Sequence, residues 1–398
     1  MIGFLLYVCS DNFANFNGGA PSPEVEMKSV SLSVPNLDKA EEDAVLAVLR
    51  SGWLTQGPKV EQFEAMFSDF IGRESLAVNS CTAALHLAHI VCGARQGSEV
   101  IVPSLTFVAT PNTVRYTGAD VVFADIKSID DWTIDPQDIE NKLTENTVGV
   151  TPMHFAGYPA DMLEIKSICT THNLYLVEDA CHGLGTELDG KHLGAHGDVG
   201  CFSFYGNKIM TTGEGGMMVF ANSDLMEKAK SLRSHGMTNV AWDRALGAMS
   251  YDVTCLGFNY RMDDLRAAIG IAQLSKLKHF ISERQKVVDV YRRELSLVDE
   301  IHIPAFSKKL NMANYIFPVL LRSGNRDAFR EAMQARGVQT SVHYRPCHEF
   351  NSFGRQQADL PITNLVANKC FSLPLYADMA LEDVDYVCQT VMDCARLS

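Results

Sequence analysis

A chain of 398 residues, 46% hydrophobic and 21% charged, is globular in composition and too long for one small core, so its length calls for two or three domains. No apolar run approaches the roughly 18 residues that a membrane span needs. Lysine and arginine number 34 against 48 aspartates and glutamates, a net charge of −14, which excludes wrapping nucleic acid as the main business but leaves room for a local pocket that takes one phosphorylated small molecule.

From the N-terminus, residues 2–9 (IGFLLYVC) are apolar, but no Lys or Arg precedes Lys28, so the positive flank of a signal peptide is missing. Residues 10–26 are polar and rich in Gly, Pro and Asn, a linker composition, and residues 1–26 read as an extension before a folded domain that begins near Met27. Between about residues 75 and 220 short apolar runs alternate with helical stretches. Leu76–Asn79 reads as a strand and Thr82–Gly93 as a helix. Glu99–Val102 is a strand ended by Pro103, and a helix follows over Ala109–Tyr116. Asp120–Ala124 and Thr147–Met153 read as strands, Asp161–His172 as a helix, and Leu174–Glu178, Val199–Phe204 and Gly216–Phe220 as further strands. Short apolar strands separated by helices are what a parallel sheet covered on both faces requires, so the fold class is α/β.

Past Arg261 the character changes. Asp263–Lys278 is helical, and Ile281–Leu297 continues it as a long charged helix. A strand over Tyr315–Leu321, a helix over Arg326–Ala335, a strand over Val338–His343 and a helix over Leu381–Cys394 then suggest a smaller α+β domain. The expected division is a large domain over 27–280 and a small one over 281–398. The 11 cysteines are scattered, with no C-x-x-C pair; Cys181-His182 and Cys347-His348 are adjacent, which is not ligand spacing. No metal site is expected, and free buried thiols fit a reducing cytoplasm.

Three motifs carry chemistry. In SFYGNKIMTTGEGG (203–216) a strand ends, Lys208 sits in a polar turn, and glycines that permit close backbone approach lead into the next strand. A lysine in a turn is ordinarily a solvated charge; one that forms a Schiff base must be partly desolvated. In LYLVEDACHG (174–183) two carboxylates stand at the carboxyl end of an apolar strand, the edge where open α/β sheets bind ligands. Asp179 alone would pass for a helix cap or turn former; beside a Lys-bearing turn it makes the pair that pyridoxal phosphate chemistry needs, an acid that would keep a pyridine nitrogen protonated. In NSCTAAL (79–85) small and hydroxyl residues join a strand to a helix whose free N–H groups form an anion cradle, although an ordinary N-cap looks the same. The combination, in this chain order, is what is specific.

Together these segments resemble the DegT/DnrJ/EryC1/StrS aminotransferases, the sugar aminotransferases of pyridoxal phosphate (PLP) fold type I. Similar stretches run over SGWLTQGPKVEQFE (51–64), PSLTFVATPN (103–112), FAGYPADM (155–162), GFNYRMDD (257–264), VHYRPCHEF (342–350) and SLPLY (372–376), so the likeness extends from about residue 28 to the C-terminus. It implies a large domain with a mostly parallel seven-stranded sheet and a smaller C-terminal α+β domain. It further implies that Lys208 carries PLP covalently and, once freed, shuttles a proton, with Asp179 on the ring nitrogen. His182 falls beside the ring hydroxyl, and Phe107 stacks on the ring. Thr82, the Ala83 N–H and Ser203 would bind the phosphate, with Cys81 where many relatives have Gly. Asn259 would reach the neighbouring subunit's cofactor, which implies a homodimer with shared sites. Arg261, His343, Tyr344, His348, Trp53 and Gln56 fall in segments that border the substrate pocket.

The implied reaction is a ping-pong transamination from an amino acid, glutamate above others, to a keto sugar, with 2-oxoglutarate released. Since Lys208 would act as base and acid in turn, its pKa is expected nearer neutrality than a free lysine's. The leading acceptor is a nucleotide-linked 4-keto-6-deoxy sugar; C3 of a nucleotide sugar and C8 of an oxidised octulosonate are the alternatives. A dehydratase lacking the lysine and a regulatory relative both sit poorly with an intact Lys208 and Asp179. A nicotinamide oxidoreductase would need G-x-G-x-x-G after the first strand, and the sequence has none there.

Overall fold

Helix α1 (Lys39–Ser51) starts on a capping box: Asp38 accepts from the Ala40 N–H at 2.7 Å, and Glu41 accepts from the Asp38 N–H at 2.9 Å. Gly52, at φ +74°, ends it in the left-handed conformation that glycine adopts without a Cβ clash. Helix α2 (Pro58–Ile71) follows, with proline in its first turn and Val60, Phe63, Phe67 and Ile71 buried on one face. The computed structural model describes residues 28–239, 242, 245–247, 250–306, 312–354 and 359–396, so the extension read over residues 1–26 lies outside them.

The main sheet is built from β1 (Ser75–Val78), β2 (Glu99–Pro103), β3 (Asp120–Ala124), β6 (Thr147–Val150), β7 (Tyr175–Asp179), β10 (Val199–Ser203) and β11 (Gly216–Phe220). Between them lie α3 (Cys81–Cys92), α4 (Ala109–Tyr116), α5 (Pro136–Asn141), α6 (Met162–Thr171) and two small hairpins, β4–β5 (Ile126–Ser128, Asp131–Ile134) and β8–β9 (Glu187–Leu188, Lys191–His192). The spatial order is β1-β11-β10-β7-β6-β2-β3. Only β11 runs against its neighbours; the other contacts are parallel. Strands buried on both faces explain the near-continuous apolar runs. The seven-stranded, mostly parallel sheet agrees with the sequence expectation, and it sets the carboxyl ends of β1, β7 and β10 on one edge.

Helix α7 (Ser223–Arg233) packs on α3. The two helical pieces expected after Arg261 form one unbroken helix, Asp264–Leu295. It packs on both α1 and α2 at its start and on the C-terminal helix Leu381–Ala395 further along. A second, antiparallel sheet joins β12 (Ile301–His302), β13 (Phe317–Leu321) and β14 (Cys370–Leu373), and helix Arg326–Gln334 covers it. Its apolar cluster also takes in Val30 from the start of the described chain.

Two expectations fail here. Val338–His343 is not a strand: Val338 bridges Val30 and Ser341 bridges Ser372, so the bonding partner changes midway and no ladder forms. The strand expected from Tyr315 starts instead at Phe317. Tyr315 gives its N–H to the Ala156 carbonyl at 3.1 Å, away from β14. Helix Pro361–Lys369 and β14 escaped the sequence reading altogether.

Candidate active site

Strand β7 ends at Asp179, β10 ends at Ser203, and β1 leads through Ser80 into α3, so three strand ends converge on one edge. There a cavity of about 470 Å³ is lined by Cys81, Thr82, Phe107, Asp179, Ser203, Lys208, His343 and Tyr344, all singled out in the sequence, together with Ser80, Cys181, Tyr205, Asn207, Glu214 and Tyr315. Lys208 and Asp179 thus open onto the same space.

Asp179 is 2% exposed. Its Oδ2 accepts from the Thr110 hydroxyl at 2.6 Å and its Oδ1 from the Cys181 N–H at 3.2 Å. The neighbouring carboxylate projects to the other side of the strand, as alternation dictates. Glu178 is fully buried there, accepting from His154 Nε2 at 2.9 Å and from the N–H groups of Gly194, His196 and Gly197. Burial opposes its ionisation, but His154 and these amides outweigh it and hold its carboxyl below the usual range. Glu178 therefore ties the Gly194–Gly197 turn to β7, a structural duty.

Lys208 is half-buried, with its Nζ 4.1 Å from the centroid of the Tyr315 ring. Burial disfavours its charge, yet Tyr315, acting through its hydroxyl, outweighs that and holds the ammonium above the ordinary lysine value. The protein's own groups therefore keep the amine protonated, opposite to the near-neutral expectation. Burial beside Asp179 pushes the Cys81 and Cys181 thiols well up, so both are neutral.

The first turn of α3 is where the anion cradle is expected. Ser80 caps the helix, accepting from the Ala83 N–H at 3.1 Å, so the amide expected to bind an anion is already engaged. Cys81 and Thr82 are the first-turn residues that line the cavity. Gly216 of β11 passes so close that a Cβ there would lie 2.6 Å from the Ser80 carbonyl, which is why this strand starts with glycine.

The sequence profile of the DegT/DnrJ/EryC1/StrS aminotransferase family matches residues 35–392. The chain belongs to that family. It is 36% identical over 376 residues to the spore coat polysaccharide biosynthesis protein SpsC of Bacillus subtilis, covering 92% of this chain and 96% of that one. It is 31% identical over 370 residues to GDP-perosamine synthase of Escherichia coli O157:H7, covering 92% and 98%. Helicobacter pylori PseC, an aminotransferase involved in pseudoaminic acid biosynthesis, superposes with a TM-score of 0.88 at 29% identity over 93% of this chain and 100% of its own. Spr1654 of Streptococcus pneumoniae, described as a sugar aminotransferase and solved in PLP and PMP forms, superposes at 0.87 with 26% identity over 93% of this chain and 99% and 100% of those two chains.

In this DegT/DnrJ/EryC1/StrS chain the remaining expected residues stand outside the cavity lining. His182 lies behind the wall, its Nδ1 accepting from the Ala156 N–H at 3.2 Å and its Nε2 3.0 Å from the Tyr344 hydroxyl. That bond to Nδ1 places the proton on Nε2. Burial, with Lys208 and His343 nearby, pushes its pKa well below the usual value and leaves it neutral. His348 hydrogen-bonds Ser104 at 2.7 Å and packs against Phe123, bracing the loop after β2 without reaching the cavity. Trp53 gives its indole N–H to the Gln56 carbonyl at 3.1 Å and meets Trp242 edge-on. Asn259 is exposed, and Arg261 bridges Val78 on the outer side of β1, so neither lines its own chain's cavity. Thr110 and Asn207 fell inside recognised segments without being singled out. Tyr315 lay in an expected strand, and no local signal marked it.

Proposed function

We propose that this chain is a PLP-dependent aminotransferase that moves an amino group from glutamate to a keto sugar, foremost a nucleotide-linked 4-keto-6-deoxy sugar. The observation that carries the reading is the shared cavity: a lysine amine, a buried carboxylate and an open helix first turn converge on about 470 Å³. Those donors fit PLP. An acid held by Thr110 suits a pyridinium nitrogen, the α3 first turn suits a phosphate, and the half-exposed Phe107 ring, packed on Tyr344, suits a cover over a flat heterocycle. Bound there, PLP supplies the carbonyl that joins an amine and the electron sink that acidifies the adjacent C–H.

Each residue then has a task. Lys208 holds the cofactor and, when free, moves a proton at Nζ. Asp179 presents its carboxylate to the ring nitrogen. Cys81, Thr82 and Ser203 bind the phosphate through backbone and hydroxyl groups; Ala83 would join only if Ser80 released its amide. His182 acts through Tyr344, fixing where that hydroxyl sits. His343 and Tyr344 face the substrate, whereas His348 buttresses the wall. Asn259, Arg261, Trp53 and Gln56, outside their own cavity, serve the active site of the second subunit in a homodimer. The free state of the ten described cysteines supports a cytoplasmic setting. GDP-perosamine synthase, whose name specifies a nucleotide-linked amino sugar, supports the choice of acceptor class.

The test is to load the protein with PLP, discharge it with glutamate, and offer a panel of keto sugars including an octulosonate aldehyde. The absorbance of the lysine-bound cofactor should return with a nucleotide-linked 4-keto sugar, and Lys208→Ala should abolish turnover. A protein that takes up no PLP, or a Lys208→Ala variant with full turnover, would overturn the reading.

A further inference from the structure

Lys208 has no carboxylate in ion-pair range among the described residues, and the group that most favours its charge is Tyr315. Its Nζ lies over the Tyr315 ring, 4.1 Å from the centroid, which is cation–π distance. That ring is held from every side. Its hydroxyl donates to Asn207 Oδ1, on the residue before the lysine, at 3.0 Å. His182 packs on it with 4.1 Å between centroids. The Tyr315 N–H is bound to Ala156, and its carbonyl accepts from the buried Arg284 guanidinium at 3.0 Å. A ring so fixed offers a constant electron-rich face to one mobile amine.

We propose that Tyr315 is a positioning residue for Lys208, its ring face being the seat that holds the ammonium inside the cavity whenever the lysine carries no other bond. The proposal rests on the reading of Lys208 given above, since transamination requires the amine to be released and recaptured in every cycle. A carboxylate in that place would lock the charge with a strong directed bond. A ring face attracts the same charge without directional hydrogen bonds, so the amine can leave it by rotating about its own stem. The other ionisable groups around the amine are Cys81 at the start of α3, Asp179 at the end of β7 with Cys181 and His182 just after it, Tyr205 and Glu214 on the Lys208 loop, and His343 and Tyr344.

The cofactor-free protein provides the test. Lys208 is acylated with a small amine reagent across pH 7–11, and its peptide is quantified by mass spectrometry. Tyr315→Phe keeps the face and removes only the hydroxyl, so it should keep most of the wild-type midpoint; a fall as large as leucine's would assign the hold to the hydroxyl and overturn the proposal. Tyr315→Leu removes it and should lower the midpoint by about one unit, making the amine close to tenfold more reactive at pH 8–9. Pentafluorophenylalanine incorporated at position 315 keeps the shape but reverses the ring's quadrupole, and should lower the midpoint like leucine even if the leucine variant fails to fold. A midpoint unchanged by leucine or by the fluorinated ring overturns the proposal. Borohydride trapping of PLP on the wild-type protein reads the lysine's assignment separately: label absent from Lys208 sinks the proposed function, whatever the acylation shows.

Discussion

Asp179 and Thr110 show how a buried carboxyl group is held in place. The Thr110 hydroxyl is 2.6 Å from Oδ2, and it is an anchor from α4, a separate element. Thr110→Val keeps the shape and leaves that oxygen short of a donor, at a cost of about 1–3 kcal/mol. A lower melting temperature and about tenfold weaker PLP binding are expected, read by thermal unfolding and cofactor titration. His343 sets an acid limit. It is 2.9 Å from the Ser372 hydroxyl, and burial, with Lys208 and Arg330 nearby, pushes its pKa from 6.5 down to about 4. The unfolded chain therefore binds this proton at a higher pH than the folded one. The contribution to stability is complete above pH 6.5 and drains away as the pH falls toward about 4. That span corresponds to about 3 kcal/mol. His343→Gln should flatten the acid limb of melting temperature against pH, and an unchanged limb would assign it to other groups.

Among the elements, the long helix Asp264–Leu295 does more than cover the sheet. Its first residue caps another helix, Asp264 accepting from the Lys59 N–H through Oδ2 and from the Val60 N–H through Oδ1, both at 3.1 Å. The preceding residue, Asp263, caps the long helix itself, accepting from the Arg266 N–H at 2.9 Å. Two adjacent aspartates thus start two helices that meet near the Trp53–Gly57 turn. Asp264→Ala should cost about 1–2 kcal/mol, and Asp264→Asn less, because the amide retains one acceptor. Denaturant midpoints separate the two. The DD of GFNYRMDD was visible in the sequence, but a cap across roughly two hundred residues is not a local pattern.

For the molecule as a whole, the positions of Asn259 and Arg261 matter most, since one chain's fold leaves both outside its own cavity. If each reaches a partner's site, a hybrid of one Lys208→Ala and one Asn259→Ala chain holds one dead site and one intact site. Mixing the two inactive variants and allowing subunits to exchange should restore about a quarter of wild-type activity, the share given by random pairing in a twofold dimer. Activity that stays at the level of the separate variants would place Asn259 in its own subunit's chemistry or in none.

Local pattern and spacing were enough for the α/β class, the strands that stop within a residue of Asp179 and Ser203, the helix over Ala109–Tyr116 and the segments carrying Lys208, because short apolar runs, glycine turns and helix caps act between residues close in the chain. The packing of distant segments decided the rest. It turned Tyr315 out of its expected strand onto Lys208, spent the Ala83 amide on Ser80, set His182 behind Tyr344, and replaced the strand over Val338–His343 by two single bridges. Each of those outcomes depends on which far segment supplies the hydrogen-bond partner or the ring face, a contact energy that exists only once the chain has folded back on itself.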